Sequence, residues 1–195
     1  LKVNYRLTRE VSRLAERVVV EDGWLRDVLT LLRGPEPVIG KCHDSSAALD
    51  ELLKWIRWLE SRGYPLEDLA VLARTKERVE EVRTAFARVS LPVRTSVAGD
   101  DQKGVYVGTV HSAKGQEFRA VAVYGVNDTD FPPQSLVARL KNEETREDLL
   151  RRERNLLYVA FTRAREHLVI LYWGSPSPLF RQEGKAEKGV REQAP

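Results

Sequence analysis

The chain has 195 residues, 42% hydrophobic and 31% charged, which suits one soluble globular domain with a real core. No run approaches the roughly 18 apolar residues of a membrane span, no signal peptide opens the chain, and the single Cys42 excludes an internal disulfide and a cysteine metal cluster. A net charge of +3 is mildly basic, too little by itself to establish nucleic-acid binding, and the expected location is cytoplasmic. The sequence begins at Leu1 and contains no Met, so a processed chain or an excised fragment is expected.

Taken in order, the pattern predicts two helices within residues 8–33. In "TREVSRLAERVV", Val11, Leu14, Ala15 and Val18 recur at helical spacing behind Thr8 as N-cap. "WLRDVLTLLRG" repeats the spacing and stops at Gly34–Pro35. "PVIGKCHD" reads as a short strand. Asp44, Ser45 and Ser46 cap a helix over 46–62 with Leu49, Leu52, Leu53, Ile56 and Leu59 inward, and "RGYP" ends it. "DLAVLART" is a nearly continuous apolar run, as a central parallel strand requires. Thr75 caps a helix over 76–88 that turns Val79, Val82, Ala85 and Phe86 inward. "LPVRTS" is another short strand, "VAGDDQKG" a loop, "VYVGTV" and "AVAVYGV" strands, and "NDTDFPPQS" a turn-rich loop. Residues 143–166 read as one long helix, with Leu149, Leu156, Val159 and Ala160 toward the core, followed by the strand "HLVILYW". From Gly174 onward Ser, Pro, Gly, Lys and Glu dominate, so residues 174–195 are expected to be a disordered tail. Alternating helices and apolar strands predict an α/β fold with a mainly parallel sheet and helices on both faces.

Three stretches carry chemistry. Thr109 to Glu117, "TVHSAKGQE", places hydroxyls, an imidazole, an ammonium, a glycine and a carboxylate directly after a parallel strand, where ligands bind in such sheets. Gly115 would let backbone approach a ligand closely, and strand-end amides can hold phosphate. Composition alone leaves a solvated turn as the alternative. "RRERNLLYVAFTRARE" holds Arg151, Arg152, Arg154, Arg163 and Arg165. Glu147–Arg151 and Asp148–Arg152 pairs would make part of it a solvated face. Arg163 and Arg165, near the helix end, either stabilise its C-terminus or reach an anion. "NYR" at 4–6 sets an aromatic beside a guanidinium, weak evidence alone against a plain helix entry. His43 and His167 lack metal spacing, and Trp24, Trp55, Trp58 and Trp173 read as packing residues.

Together, "LKVNYRLTREV", "VYVGTVHSAKGQEFRAVAVYGV" and "RNLLYVAFTRARE" resemble, in this order, motifs IV, V and VI of the UvrD/Rep family of superfamily 1 DNA helicases. "YPLEDLAVLART" is similar to the family's segment after motif IV. The resemblance spans residues 1–173 and implies the second, C-terminal RecA-like domain of such a motor, with ATP and Mg2+ in a cleft against a first domain. It implies that Tyr5 stacks on adenine, that Arg6 reaches the terminal phosphate, and that Gly115 and Glu117 approach γ-phosphate and ribose. Arg163 would be the arginine finger, with Arg6 the other catalytic cation. Thr109, His111 and Ser112 would face single-stranded DNA, while Lys114 stays unassigned. The implied partners are single-stranded DNA and the N-terminal RecA-like domain of the same parent protein. The implied setting is intracellular, at the nucleoid.

The chain also departs from the pattern. No GxxxxGK[ST] loop and no strand ending in paired acids is present, so ATP hydrolysis and magnesium binding require the first domain. Only residues 91–103 stand where larger relatives insert an accessory domain, and Gln116 replaces a commonly apolar residue. The implied function is the C-terminal half of an ATP-dependent 3′-to-5′ DNA helicase or translocase. The alternative is a catalytically inactive stand-alone module binding nucleic acid or protein. The coding sequence upstream of Leu1 separates the two. The end of the chain carries no nuclease motif.

Overall fold

The computed structural model describes residues 2–18, 28–95, 103–140 and 142–180. In chain order the elements are β1 (Lys2–Thr8), α1 (Arg9–Glu16), β2 (Val28–Leu32), β3 (Val38–Cys42), α2 (Ser45–Ser61), β4 (Leu69–Ala73), α3 (Lys76–Arg88), β5 (Val93–Arg94), β6 (Val105–Thr109), β7 (Phe118–Tyr124), α4 (Gln134–Val137), α5 (Glu143–Phe161) and β8 (Ala164–Trp173). Six strands form one sheet in the order β3-β8-β7-β4-β6-β5, and every neighbouring pair is parallel. β1 and β2 pair separately, also in parallel.

The central strands are apolar without interruption because helices cover both faces. In β4, Ala70 and Leu72 join the core under α1 and α5, while Leu69, Val71 and Ala73 join the core under α2 and α3. This is the two-residue period of a pleated strand. Val11, Leu14 and Ala15 of α1 and Leu157, Ala160 and Phe161 of α5 seal the first face. Leu52, Ile56 and Leu59 of α2 and Val79, Val82 and Phe86 of α3 seal the second. Asp44 accepts a bond from the Ala47 amide at 2.8 Å, and Thr75 one from Arg78, so both predicted caps hold their helices.

Four features depart from the sequence pattern. Val28–Leu32, read as part of a helix, is strand β2. Leucines satisfy either period, and the parallel register Lys2–Val28, Val3–Leu29 and Asn4–Thr30 decides between them. The "NYR" stretch lies in β1 rather than in a helix entry. Helix α5 ends at Phe161, not at residue 166, because Ala164 pairs with Phe118 and draws Ala164–Glu166 into β8. Finally, residues 174–180 are packed: Asn127 bridges Pro176, Leu179 and Phe180 are buried, and Phe180 meets Phe161 edge-on at 5.7 Å. Residues 181–195 and Trp24 lie outside the described residues. Thr8 occupies the N-cap position of α1, yet its hydroxyl makes no capping bond.

Candidate functional site

β6 and β7 run parallel with β4 between them, so the chain leaving β6 must return across the sheet before β7 begins. Residues 110–117 make that return. Their two ends lie at opposite edges of the sheet, separated by a five-residue strand, or about 16 Å.

At the carboxyl edge, Thr109 and Ser112 lock into a tight turn. The Ser112 amide donates to Thr109 Oγ1 at 3.2 Å, and Ser112 Oγ donates to the Thr109 carbonyl at 2.8 Å. The Val110 amide anchors the turn to the Ala73 carbonyl of β4 at 3.0 Å. Ala113 is buried, while His111, Ser112 and Lys114 face solvent. The three residues expected at nucleic acid therefore sit together at one strand end.

At the amino edge, Gly115 holds φ at +83°, and a Cβ there would meet nothing within 4 Å. The backbone conformation, not lack of room, asks for glycine. Arg163 follows α5 immediately. Its Nη1 donates to the Gln116 carbonyl at 2.9 Å, its Nε to the Val159 carbonyl at 3.1 Å, and its own carbonyl accepts from the Phe118 amide at 2.9 Å. The stretch Gly115–Glu117 and Arg163, 47 residues apart for the Gln116 contact, thus meet directly. Glu117 is exposed and Arg163 partly so. Nearby, burial raises the Tyr158 phenol, Glu16 adds to that, and Arg163 opposes it.

The other candidates fare differently. The backbone of Tyr5 and Arg6 belongs to β1, and their side chains lie outside the described residues. Arg165 is an exposed residue inside β8, away from the end of α5. Glu147–Arg151 and Asp148–Arg152 do not form ion pairs among the described residues; Arg146 pairs with Glu143 at 3.6 Å instead. His43 is exposed beside Asp44 and packs into no core, whereas His167 is half-buried and packs against Tyr64 and Trp58. Burial pushes the Cys42 thiol up to about 11, which keeps it protonated.

Two side-chain systems escaped the sequence pattern. Arg74, just beyond β4, forms two 2.7 Å bonds with Glu153 of α5, and both side chains are largely buried. Arg119 clasps Glu166 at 2.8 and 3.0 Å, while the Tyr64 hydroxyl donates to the same carboxylate at 2.9 Å. Their partners lie far apart in the chain, so no local spacing signals them.

A six-stranded parallel sheet covered on both faces, with polar loops at its strand ends, defines a RecA-like α/β domain. The crystal structure of the C-terminal domain of a possible DNA helicase from Lactobacillus plantarum superposes with a TM-score of 0.69, over 95% of this chain and 98% of that one, at 21% identity. That likeness is one of fold.

More particularly, residues 95–175 match the family model of the UvrD-like helicase C-terminal domain. The match takes in β6, the 110–117 return, Arg163 and β8. Across 93 residues the chain is 39% identical to the ATP-dependent DNA helicase UvrD2 of Mycobacterium tuberculosis, covering 48% of this chain and 13% of that protein. Across 71 residues it is 42% identical to the ATP-dependent DNA helicase PcrA of Staphylococcus epidermidis, covering 36% of this chain and 9% of that one. The matched region is thus a small fraction of these curated relatives.

Proposed function

We propose that this chain is the C-terminal half of an ATP-dependent DNA helicase or translocase that moves 3′ to 5′ on single-stranded DNA. The observation that carries the reading is the Arg163 guanidinium held on the Gln116 carbonyl, one residue from Gly115 and Glu117. A cation, an exposed carboxylate and a left-handed glycine turn then share one edge of the sheet. That combination fits one wall of a triphosphate site.

In this reading Arg163 swings from the carbonyls that hold it to stabilise charge on the transferring phosphoryl group. Gly115 brings backbone close to the γ-phosphate, and Glu117 accepts from the ribose. Tyr5 stacks on adenine and Arg6 meets the terminal phosphate. Bound ATP with Mg2+ supplies the hydrolysable phosphoanhydride, and the opposite wall comes from an N-terminal RecA-like domain. Among the described residues no group of three His, Cys, Asp or Glu side chains gathers to hold a metal. Thr109, His111 and Ser112 touch the DNA backbone, so binding is tolerant of sequence and weakened by salt. Among the described residues no helix is long and apolar enough to cross a membrane. The reading puts the protein with chromosomal DNA inside the cell.

Arg163→Ala in the full-length protein tests this. The expected outcome is a fall in kcat for ATP of about 10³-fold, with single-strand affinity changed less than about threefold. Turnover near wild type would sink the finger assignment.

A further inference from the structure

We propose that Tyr106 is the positioning residue that ties the two ends of the 110–117 return together, so that DNA at Ser112 is felt beside Arg163. The proposal rests on the functional reading above and deepens it.

Tyr106 is buried at 1% exposure in the core beneath α1 and α5. Its hydroxyl donates to Ser112 Oγ at 2.9 Å, at the DNA end of the return. Its ring stacks on Phe118 with centroids 5.3 Å apart and planes 24° off parallel. Phe118 is the first residue beyond the nucleotide end, and its amide holds the Arg163 carbonyl. A register shift between Phe118 and Ala120 puts these residues in opposite cores, which brings Phe118 to the face Tyr106 occupies. One side chain therefore touches both ends of a segment that spans the sheet.

The strand is shaped for this reach. Gly108 lies two residues on, on the same face of β6, and leaves the slot in which the phenol lies. A Cβ at Gly108 would stand 2.6 Å from the Tyr106 hydroxyl oxygen, 2.8 Å from its Cζ and 2.8 Å from Ser112 Oγ. Filling the core would need only a phenyl ring. The hydroxyl is aimed at a residue proposed to contact DNA.

Ser112 has one hydroxyl proton, and it goes to the Thr109 carbonyl. A phosphate oxygen competes for that proton. When Ser112 rotates toward it, the lone pair offered to Tyr106 turns away. A buried phenol without an acceptor is costly, so the ring follows its partner and moves against Phe118. DNA occupancy at one edge is thereby converted into packing at the other.

The test compares Tyr106→Phe, Ser112→Ala and the double variant in the full-length protein, reading ATP turnover with and without single-stranded DNA. Tyr106→Phe is expected to cut the DNA stimulation of kcat by about fivefold or more, with KM for ATP within about twofold of wild type. The double variant should be no worse than Ser112→Ala, because both remove one link. Wild-type stimulation in Tyr106→Phe overturns the proposal, as does additive loss in the double variant. So does a lowered melting temperature with stimulation intact. Arg163→Ala measured alongside separates the two readings: its retained turnover removes the nucleotide assignment, while the stimulation ratio still judges Tyr106. A wild-type turnover indifferent to DNA overturns both.

Discussion

Arg74 and Glu153 join the carboxyl edge of β4 to the middle of α5 through a two-pronged bond in a largely dry setting. Such pairs add little over apolar packing, but losing one partner strands a buried charge. Glu153→Ala is therefore expected to cost about 3–5 kcal/mol, lowering Tm by roughly 6–20 °C. Urea and thermal unfolding measure it, and a loss below about 1 kcal/mol would mean that water relieves the charge. Residue by residue, the sequence marks candidates where polar groups interrupt apolar runs. Thr109, Ser112, Gly115 and Arg163 stood out for that reason. Glu153 did not, since on a helix dense with charge nothing marks the one that turns inward toward a partner 79 residues away. Tyr106 left a fainter trace: an aromatic two positions before a glycine on one strand face.

Among elements, α5 offers a clean measure of local against tertiary stabilisation. Asn142 accepts from the Thr145 amide at 2.9 Å at its exposed start, while Leu157, Ala160 and Phe161 are fully buried at its end. Asn142→Ala is expected to cost about 1 kcal/mol, or roughly 2–4 °C in Tm, without moving the Arg163 end. Calorimetry on the variant checks the cost, and a loss of several kcal/mol would show that the cap organises more than the first turn. The caps and stripes of α2 and α3 were readable because they are written within a few residues. β2 and the start of β8 were not. Each is a strand only because a distant partner pairs with it, β1 in one case and β7 in the other. The same is true of residues 175–180, whose polar look hides Leu179 and Phe180 closing over α5.

At the level of the whole molecule, one source of pH dependence lies where the end of α2 meets β8. Burial depresses His167 below its ordinary 6.5, with Glu166 opposing and Arg119 and Arg62 adding to the depression. The Tyr64 hydroxyl lies 3.0 Å from its Nε2. As pH falls through 6.5, the unfolded chain takes up a proton that the folded chain refuses, so stability declines until the folded value is passed. Glu166 acts lower. Hydrogen bonds from Arg119 hold it below the ordinary 4.5, so its contribution is present above 4.5 and is lost as pH falls through its folded value. Thermal midpoints across pH should be flat above about 7.5, fall from about 6.5, and fall again below about 4.5. His167→Phe should flatten the first descent; an unchanged profile would assign it to another group.

The sheet order carries a consequence for how this chain is made. β3 takes its register wholly from β8, Val38 opposite Val169 and Cys42 opposite Trp173. Synthesis delivers β3 and α2 well before β8, with β4, α3, β6, β7 and α5 between them. Until Trp173 clears the ribosomal exit tunnel, the apolar stripe of α2 has no finished surface to cover, and neither has that of α1. Nascent chains must therefore wait with two sticky helices and an unpaired strand, a stretch of translation during which chaperone shelter and a steady elongation rate decide the yield.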